Sequence, residues 1–429
     1  MKLELSVLKI TDVKFAHKTD IRDGVLFLNG EELKELLEED GRLRNVEVEI
    51  ARPGEKHRII RVIDVIEPRS KIEKGGPNFP GAIDVQGVVG YGRTCVLQGV
   101  GVVVTEFADM VDSDEFRKAV DIVDMWGPVG DLTPYSKLNN IVILADPADG
   151  VSIEEYRVAL KIAGLKAAVY LARAAEGFPP DEVMVYELSL DREIGKKLPE
   201  LPGVAYIFQI LSTQFNPLDG DPVLYGENVE RIVPTILHPN EIFDGAVTAP
   251  YGSIFMETYF IQNNPILGQL YRNHGKNLRL LGVIIMNAPN NVDECERAAN
   301  MAANLAKHVL HADAAILTKA GGGAPEWVMM RTAQRCEQIG IRTALAFLHM
   351  GMDVTEPTLK PTSLFYAPEV DAMVSMGTPV GSLKLPRAEK FIGRFKAIGA
   401  VNEGVEWPIR RIRGSLSQLG NSRLRALRY

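Results

Sequence analysis

The chain has 429 residues, 46% of them hydrophobic and 24% charged, so it is long enough to form two or three packed domains. Its net charge of −8 and sequence pI near 5.6 argue against nucleic acid as the main partner, because phosphate binding requires clustered cations. No apolar run approaches the roughly 18 residues that a membrane-spanning helix needs, and the alternating N-terminal residues do not form a signal peptide. These features predict a cytoplasmic protein without a membrane partner.

The cysteines give the same indication. Cys95, Cys295 and Cys336 are odd in number, far apart and not part of a CxxC pair. Such cysteines fit a reducing compartment better than a disulfide framework. Cys295 and Cys336 lie in helical patterns, where cysteine usually acts as a small buried hydrophobic residue.

The C-terminus carries the one dense basic cluster of the sequence. Charge runs of this kind are typical of a solvated or subunit-facing tail. An anion-binding role is the alternative, since guanidinium groups bind carboxylates and phosphates. The cluster comprises Arg410, Arg411, Arg413, Arg423, Arg425 and Arg428.

Residues 1–110 are predicted to form a β-rich N-terminal domain. The runs VEVEI, HRIIRVIDVI and TCVLQGVGVVV are rich in β-branched residues and are separated by turn residues. The glycines of GVVGYGRTCVLQGVG are assigned to turns and bulges, because neither a P-loop nor a strand-GxGxxG-helix arrangement is present.

Residues 111–230 are predicted to form an α/β domain, because helical and strand patterns alternate there. One helix is predicted over 113–123 and another over 153–176, with Ser152 as N-cap of the second. The segments NIVILADP, DEVMVYEL and VAYIFQIL are predicted strands.

Residues 231–429 are predicted to form a Rossmann-like α/β domain with a largely parallel sheet. Helices predicted to begin after Asn291 and at Pro325 separate the first three of the apolar runs LRLLGVIIMN, DAAILTK, IRTALAFL and DAMVSMG. Ligands of such sheets lie beyond the carboxyl ends of the strands. The loops MNAPNN, TKAGGGAPE and FLHMGMD are therefore the candidate ligand loops.

The loop TKAGGGAPE, residues 318–326, is called the glycine loop. Its three glycines let the backbone approach a ligand, and the helix N-terminus that follows offers unpaired N–H groups to an anion. Lys319 would add a positive charge, whereas Glu326 can simply complement the helix dipole. A tight strand-to-helix turn has the same requirements, so both interpretations stay open.

Among the seven histidines, His349 is the candidate for acid–base chemistry, because it follows a predicted strand at its carboxyl end. His308 and His311 have a spacing that can place both on one helix face, but a third ligand cannot be assigned. No metal site is therefore predicted. The sequence contains no HExxH motif, GxSxG elbow or Cys/His protease signature.

The densest polar stretch covers residues 236–266 and is called the central segment. A long polar loop inside a compact α/β protein is more often functional than idle. The alternative is a surface crossover whose Asn and Asp side chains satisfy turns. Its candidate residues are His238, Asp244, Ser253, Tyr259, Gln262, Asn263 and Asn264.

A set of motifs extends over most of the chain. HPNE is followed by DGA, a tyrosine and QNNP, and then by LYRNHGK and a GVII strand. GRTCVLQGVGVVVT and DMWGPVGDLTPYS precede them, and ADAAILTKAGGGAPE follows. This combination resembles the proprotein of component B in glycine, sarcosine and betaine reductases, and more distantly the proline reductase proprotein.

The resemblance implies a subunit that binds a small amine or amino-acid derivative. Proproteins of the family are expected to cut themselves before an internal cysteine, which becomes a pyruvoyl group. The ketone of that group activates the substrate amine, so that a thiol or selenol on a partner subunit can break the C–N bond. The implied partner is a cysteine- or selenocysteine-bearing subunit, within an oligomer.

The sequence departs from the family where the cysteine is expected. Between DGA and QNNP it reads VTAPYGSIFMETYFI, without a cysteine. Ser253, after Gly252, is nearest the expected cleavage position, and a serine can in principle form a pyruvoyl through an ester and a dehydroalanine. A serine in a glycine-containing loop is more often a turn residue. The sequence therefore favours a component-B-like subunit without a pyruvoyl group of its own.

Two other functions stay open. The chain can be a repurposed family member that carries out lyase or hydrolase chemistry with its own acid–base residues, or a non-catalytic scaffold. The predicted catalytic residues are Ser253, Asp244, Tyr259 and His349. The predicted substrate-binding residues are His238, Gln262, Asn263, Asn264, Lys319, Gly321, Gly322 and Glu326.

Overall fold

The structure, a computed structural model, describes residues 1–72, 75–107, 120–189, 200–215, 217–253, 255–348, 369–377, 381–394 and 401–421. It is a mixed α/β protein with several mixed sheets, which confirms the predicted α/β class. His349 and most of the helix predicted over 113–123 lie outside the described residues, as do Arg423, Arg425 and Arg428.

The elements follow in chain order. The strands are β1 (Lys2–Lys9), β2 (Asp12–Phe15), β3 (Asp20–Arg22), β4 (Val25–Leu28), β5 (Leu43–Ala51), β6 (His57–Ile60), β7 (Val62–Ile66), β8 (Arg69–Ile72), β9 (Gly92–Gln98), β10 (Val100–Thr105), β11 (Ile122–Asp124), β12 (Asn139–Pro147), β13 (Glu182–Glu187), β14 (Gly203–Ser212), β15 (Thr235–Leu237), β16 (Arg279–Ala288), β17 (Ala314–Thr318), β18 (Arg342–Leu348), β19 (Ala372–Gly377), β20 (Ser382–Lys384), β21 (Lys390–Ile392) and β22 (Glu406–Pro408). The α-helices are α1 (Gly30–Glu38), α2 (Gly127–Gly130), α3 (Ile153–Arg173), α4 (Pro239–Phe243), α5 (Thr258–Gln262), α6 (Pro265–Asn273), α7 (Val292–Asn304) and α8 (Ala324–Gln338).

The N-terminal strands build two four-stranded sheets, in the orders β13-β1-β9-β8 and β5-β12-β10-β7. Both sheets combine strands from either side of residue 110, and the division into three domains stays a prediction. The run HRIIRVIDVI forms two strands, β6 and β7, because Arg61 between them has a φ of +58°. That left-handed conformation ends a ladder, since a strand requires an extended backbone.

The largest sheet has the order β15-β16-β14-β17-β18-β19. Strand β15 is antiparallel to β16, and the other five strands are parallel to their neighbours. Alternate residues of β14 face opposite sides, as the two-residue period of a strand requires. Ala205 and Ile207 pack in one core with α7 and α8, whereas Tyr206 and Phe208 pack in another with Phe260 of the central segment. From Leu237 onwards, the apolar residues of the central segment therefore lie on the face away from α7 and α8.

Helix α3 carries charge into the core. Its N-terminus is closed by a capping box between Ser152 and Glu155, which confirms the predicted start. Gly164 lies against Val104 and Ile66, so closely that a Cβ there would clash with both side chains. This close packing buries the neighbouring turns of the helix, and the cationic side chains of Arg157 and Lys161 with them.

Candidate functional site

The HPNE motif at the start of the central segment is a helix cap. His238 Nδ1 accepts from the Asn240 backbone N–H at 3.1 Å, and Glu241 Oε2 accepts from the His238 backbone N–H at 2.5 Å. His238 Nε2 lies 3.0 Å from the Leu188 carbonyl oxygen, to which it must donate because Nδ1 is the acceptor. Burial lowers the pKa of His238 to about 4, so the ring is neutral.

The end of α4 contacts the sheet β13-β1-β9-β8 through hydrogen bonds and an ion pair. Asp244 accepts from the Gly90 backbone N–H at 2.6 Å and from Thr94 Oγ1 at 2.7 Å, and it pairs with Lys71. Lys71 is buried, and burial together with Arg69 lowers its pKa well below the usual value. The cavity between these side chains measures only about 10 Å³, which is room for one water molecule. Asp244 thus joins the two motifs HPNEIFDGA and GYGRTC in the fold.

The side chains of the QNNP motif, at the other end of the segment, are hydrogen-bonded to neighbouring residues of the protein. The Gln262 amide pairs with the backbone of Glu67, at 3.0 and 3.2 Å. Asn263 lies between Arg69 and the Glu67 carboxylate, at 3.1 and 3.3 Å. Asn264 caps α6 by accepting from the Leu267 N–H at 3.1 Å. These amides connect the segment to the sheets.

The middle of the segment is a turn over residues 250–253, called the central turn. The Ser253 N–H donates to the Pro250 carbonyl at 3.0 Å, and Gly252 has a φ of +69°, which glycine adopts without strain. Ser253 Oγ donates to the carbonyl of Met256 at 2.7 Å. The Tyr251 N–H donates to Asp221 Oδ2 at 2.7 Å. The serine hydroxyl is therefore engaged downstream of the turn.

A cluster of buried charges lies directly against Tyr251. Glu106 Oε1 accepts from Tyr251 Oη at 2.5 Å and from Arg157 Nε at 2.8 Å, and Glu106 Oε2 accepts from Arg61 Nη2 at 2.6 Å. The Arg157 guanidinium lies 5.1 Å from the centre of the Tyr251 ring. All three charged side chains are buried. One carboxylate thus holds two guanidinium groups beside the central turn.

A second ion pair completes this cluster. Lys161 Nζ lies 2.6 Å from Asp221 Oδ1, with both side chains 3% exposed. The other oxygen of Asp221 accepts a hydrogen bond from the Tyr251 backbone N–H. We call the five residues Arg61, Glu106, Arg157, Lys161 and Asp221 the charge cluster.

Arg61 has spare hydrogen-bonding capacity. Its Nε and Nη1 atoms are buried and have no hydrogen-bond partner in the described part of the chain. Buried guanidinium nitrogens are normally satisfied, because leaving a donor unpaired inside a protein is costly. The backbone of Arg61 is in the left-handed region as well, a strained conformation that clusters at functional sites.

Behind the turn, two carboxylates hold the start of α5. Asp64 accepts from the Thr258 N–H at 2.9 Å and from Thr258 Oγ1 at 2.6 Å, and burial raises its pKa to about 6. Glu257 accepts from Tyr135 Oη at 3.0 Å and from Arg413 Nη1 at 3.1 Å. Arg413, part of the C-terminal basic cluster, is thereby buried in the protein. Burial also raises the pKa of Tyr259, whose ring lies 5.6 Å from that of Tyr135.

The glycine loop is filled by two glutamines. Gln209 Oε1 accepts from the Ala320 N–H at 3.3 Å, and Gln214 Oε1 accepts from the Ala324 N–H at 3.1 Å. Gln214 Nε2 also donates to the Gly322 carbonyl at 2.8 Å. Side chains of the protein thus occupy part of the space around Gly321 and Gly322.

Lys319 is directed into the protein. Its Nζ lies 2.5 Å from Glu326 Oε1, and both side chains are almost fully buried. The ammonium group also lies 4.3 Å from the centre of the Phe347 ring. Burial lowers the pKa of Lys319 to about 8, although Glu326 opposes that shift. The predicted role of these residues in substrate binding stays a prediction.

The sequence alone did not identify the charge cluster. Its members lie in separate elements, and Tyr251 and Glu106 are 145 residues apart. Two features of the sequence could have indicated it. Arg61 interrupts the apolar run HRIIRVIDVI, and Arg157 and Lys161 are one turn apart on α3. In the described ranges, no three His, Cys, Asp or Glu side chains are grouped as metal ligands.

Comparison with known proteins identifies the class. The sequence model for glycine/sarcosine/betaine reductase component B subunits matches residues 1–418. The glycine reductase complex component B subunits alpha and beta of Acetoanaerobium sticklandii are 34% identical over 445 aligned positions, with all of both chains covered. The sarcosine reductase complex component B subunit alpha of Peptoclostridium acidaminophilum is 36% identical, covering 94% of each chain. The betaine reductase counterpart from the same organism is 32% identical, covering 97% of this chain and 93% of its own.

These relatives are components of reductase complexes, which defines the class of this protein. The chain belongs to the glycine/sarcosine/betaine reductase component B family, as the motifs HPNE, QNNP and AGGGAPE predict. No helix in the described ranges is long and apolar enough to cross a membrane.

Proposed function

We propose that this chain is a component-B-like subunit that binds a small amine or amino-acid derivative at the central turn for C–N bond cleavage. Family membership supports the reaction class. A cysteine- or selenocysteine-bearing partner subunit supplies the thiol or selenol that attacks the substrate carbon, so that a C–S or C–Se bond forms as the C–N bond breaks and the amine leaves.

The observation that carries this proposal is the unpaired part of the Arg61 guanidinium. Glycine, sarcosine and betaine all carry a carboxylate, the group that guanidinium binds best. Arg61 Nε and Nη1 are donors beside the central turn that have no partner among the described residues, and Glu106 fixes the remaining nitrogen at 2.6 Å. A carboxylate at Arg61 would place the substrate against Tyr251 and the charge cluster.

We propose further that the chain works without a pyruvoyl group of its own. Its three cysteines lie outside the central segment, and the Ser253 hydroxyl donates to the Met256 carbonyl. The substrate is then held by ionic contacts and hydrogen bonds rather than by an imine to this chain.

Two finer features belong to the same proposal. The five parallel strands, numbered along the chain, have the sheet order 2-1-3-4-5, which supports a Rossmann-like unit of the doubly wound kind. We place the protein in the cytoplasm as one member of a hetero-oligomer, since its relatives are named as subunits of complexes.

The intact mass of the purified protein tests the processing part. We expect one species of full-length mass, with no adduct after borohydride treatment in the presence of an amine. Two fragments that meet near Ser253, the downstream one blocked and trapped by borohydride, would establish a pyruvoyl enzyme and overturn this part.

The variant Arg61→Lys tests the substrate site. It keeps the positive charge beside Glu106 but loses the free guanidinium donors, so binding of glycine, sarcosine and betaine should weaken by about tenfold or more in calorimetry. Arg342→Gln is the control, because the Arg342 side chain is 84% exposed. Unchanged affinity in a folded Arg61→Lys protein would remove Arg61 from the site. Turnover by the isolated chain without a reductant would favour the lyase or hydrolase alternative.

A further inference from the structure

A second cleft lies at the carboxyl ends of β14 and β16, on elements outside the central segment. Its volume is about 430 Å³, within the range of about 300–1,000 Å³ that is typical of small-molecule sites. The carboxyl end of a parallel sheet is also where ligands of α/β proteins bind. The polar residues that line the cleft are Thr213, Glu230, Arg231, Asn287, Glu294 and Arg297.

Asn287 supplies an unused acceptor in this cleft. Its side chain is 3% exposed, and its Nδ2 donates to the Glu230 carbonyl at 2.5 Å. That contact fixes which end of the amide is oxygen, because a carbonyl accepts only from an N–H. Asn287 Oδ1 is buried and has no partner in the described structure. A ligand with an N–H or O–H group would satisfy it.

The cleft is lined by equal numbers of exposed carboxylate and guanidinium groups. Glu230 and Glu294 are anionic, Arg231 and Arg297 are cationic, and all four residues are exposed. Within the described residues, none of these four takes part in a salt bridge. The N-terminus of α7 is already capped, since Asn291 Oδ1 accepts from the N–H groups of Asp293 and Glu294. The arginines, and not the helix end, are therefore the anion-binding groups.

We propose that this cleft binds a small zwitterion, an α-amino acid or an N-methylated derivative that keeps at least one N–H. The ammonium group donates to Asn287 Oδ1, and the carboxylate contacts Arg231 and Arg297. The volume exceeds what glycine needs, so an amino acid with a side chain fits as well. The site is distinct from the central turn and does not depend on the reaction proposed there.

Because Asn287 Oδ1 needs an N–H or O–H donor, ligands with and without an N–H group should bind the cleft with different affinities. Glycine and sarcosine carry N–H groups on their ammonium nitrogen, whereas the trimethylammonium of betaine has none and cannot donate to Asn287. Propionate has the carboxylate without the ammonium group. Calorimetry on the full-length Arg61→Lys chain, in which binding at the central turn is weakened, with these four probes and L-alanine should rank glycine, sarcosine and alanine above betaine and propionate by about tenfold or more.

Variants then assign the binding to the cleft. Arg231→Gln and Arg297→Gln should each weaken glycine binding severalfold without unfolding the protein, because both side chains are on the surface. Asn287→Leu should abolish the preference for glycine over propionate. All of these variants are made in the Arg61→Lys background, which weakens binding at the central turn and leaves the residues that line this cleft intact. If the Arg231→Gln, Arg297→Gln double substitution leaves glycine binding unchanged in this background, or if Arg61→Lys alone abolishes all glycine binding, the proposal is wrong, although the site at the central turn would stand. Equal binding of propionate and glycine would overturn it as well.

Discussion

The central turn and the glycine loop have similar sequence features but different structures. Both are glycine-containing polar loops between regular elements. In the glycine loop, Gln209 and Gln214 satisfy the backbone, and Lys319 pairs with Glu326 seven residues away. At the central turn, charges from distant elements converge, and Arg61 keeps two donors without a partner in the described part of the chain. A spare buried donor, rather than polarity itself, distinguishes a candidate ligand site from a tight turn.

Stability alone does not account for the charge cluster. Replacing a buried ion pair by apolar residues of similar size is often neutral or stabilising, because desolvation offsets much of the Coulomb attraction. The cluster includes Glu106, two arginines and the Lys161–Asp221 pair. Its net contribution to the free energy of folding is therefore expected to be small relative to its desolvation cost. This reasoning favours a functional origin for the cluster, and it makes the cluster sensitive to the loss of a single member.

The largest expected effect is that of Glu106→Gln. This change leaves Arg61 and Arg157 buried without their carboxylate, so we expect the free energy of unfolding in urea to fall by about 3–5 kcal/mol. Glu389→Gln is the matched control, since Glu389 and Lys56 form an exposed pair at 2.9 Å and should contribute nothing measurable. A loss as small as that of the control would show that the cluster does not depend on Glu106.

Lys319→Met should have a similar effect in the glycine loop. It leaves Glu326 as a buried unpaired carboxylate, which costs about 3–5 kcal/mol in chemical denaturation. The double variant Lys319→Met, Glu326→Leu replaces the pair by apolar side chains and should recover to within about 1 kcal/mol of the unaltered protein. That double variant should still bind glycine. A folded double variant without binding would support the predicted role of Lys319 and Glu326 in substrate binding.

Much of the fold could be predicted from the sequence. The helix expected to begin at Pro325 is present as Ala324–Gln338, and the five parallel strands of the largest sheet lie where the apolar runs predict them, whereas the edge strand β15 was not predicted. Periodicity and caps are local signals, which is why they succeed. The break between β6 and β7 was missed, because nothing in the sequence shows that Arg61 adopts a positive φ.

The candidate site could be predicted only in outline. The density of polar residues located the central segment, yet most of its motif residues, such as His238 and Gln262, bind the protein itself. The partners of Tyr251 come from positions far along the chain, including Glu106 and Asp221. Contacts at such separations depend on the tertiary fold and leave no pattern in a single sequence.

The pH dependence of stability tests the structural interpretation of the HPNE motif. The pKa of His238 is about 4 in the folded protein and near 6.5 when unfolded, so the unfolded chain binds more protons between these values. Stability from this group is complete above pH about 6.5 and is lost as the pH falls towards 4, by about 3 kcal/mol in total.

His238→Asn isolates that contribution, since asparagine can still cap the helix. The variant should lose this dependence on pH in urea unfolding measured from pH 4 to 7. Asp64→Asn is the counterpart of opposite sign. The pKa of Asp64 is raised to about 6, so its contribution is lost as the pH rises through 6. An unchanged slope in His238→Asn would show that the imidazole is not held in its neutral form.

The smallest expected effect is that of Gln214→Ala. The change removes the hydrogen bonds to the Gly322 carbonyl and the Ala324 N–H, at 2.8 and 3.1 Å, and should lower stability by about 1 kcal/mol, because water reaches this half-buried site. Gln269→Ala on the exposed side of α6 is the control. The informative measurement is the additional effect of sulfate on thermal unfolding. If the glutamine only completes a turn, sulfate should affect Gln214→Ala and Gln269→Ala equally, whereas a selective gain in Gln214→Ala would identify the glycine loop as an anion site that Gln214 covers.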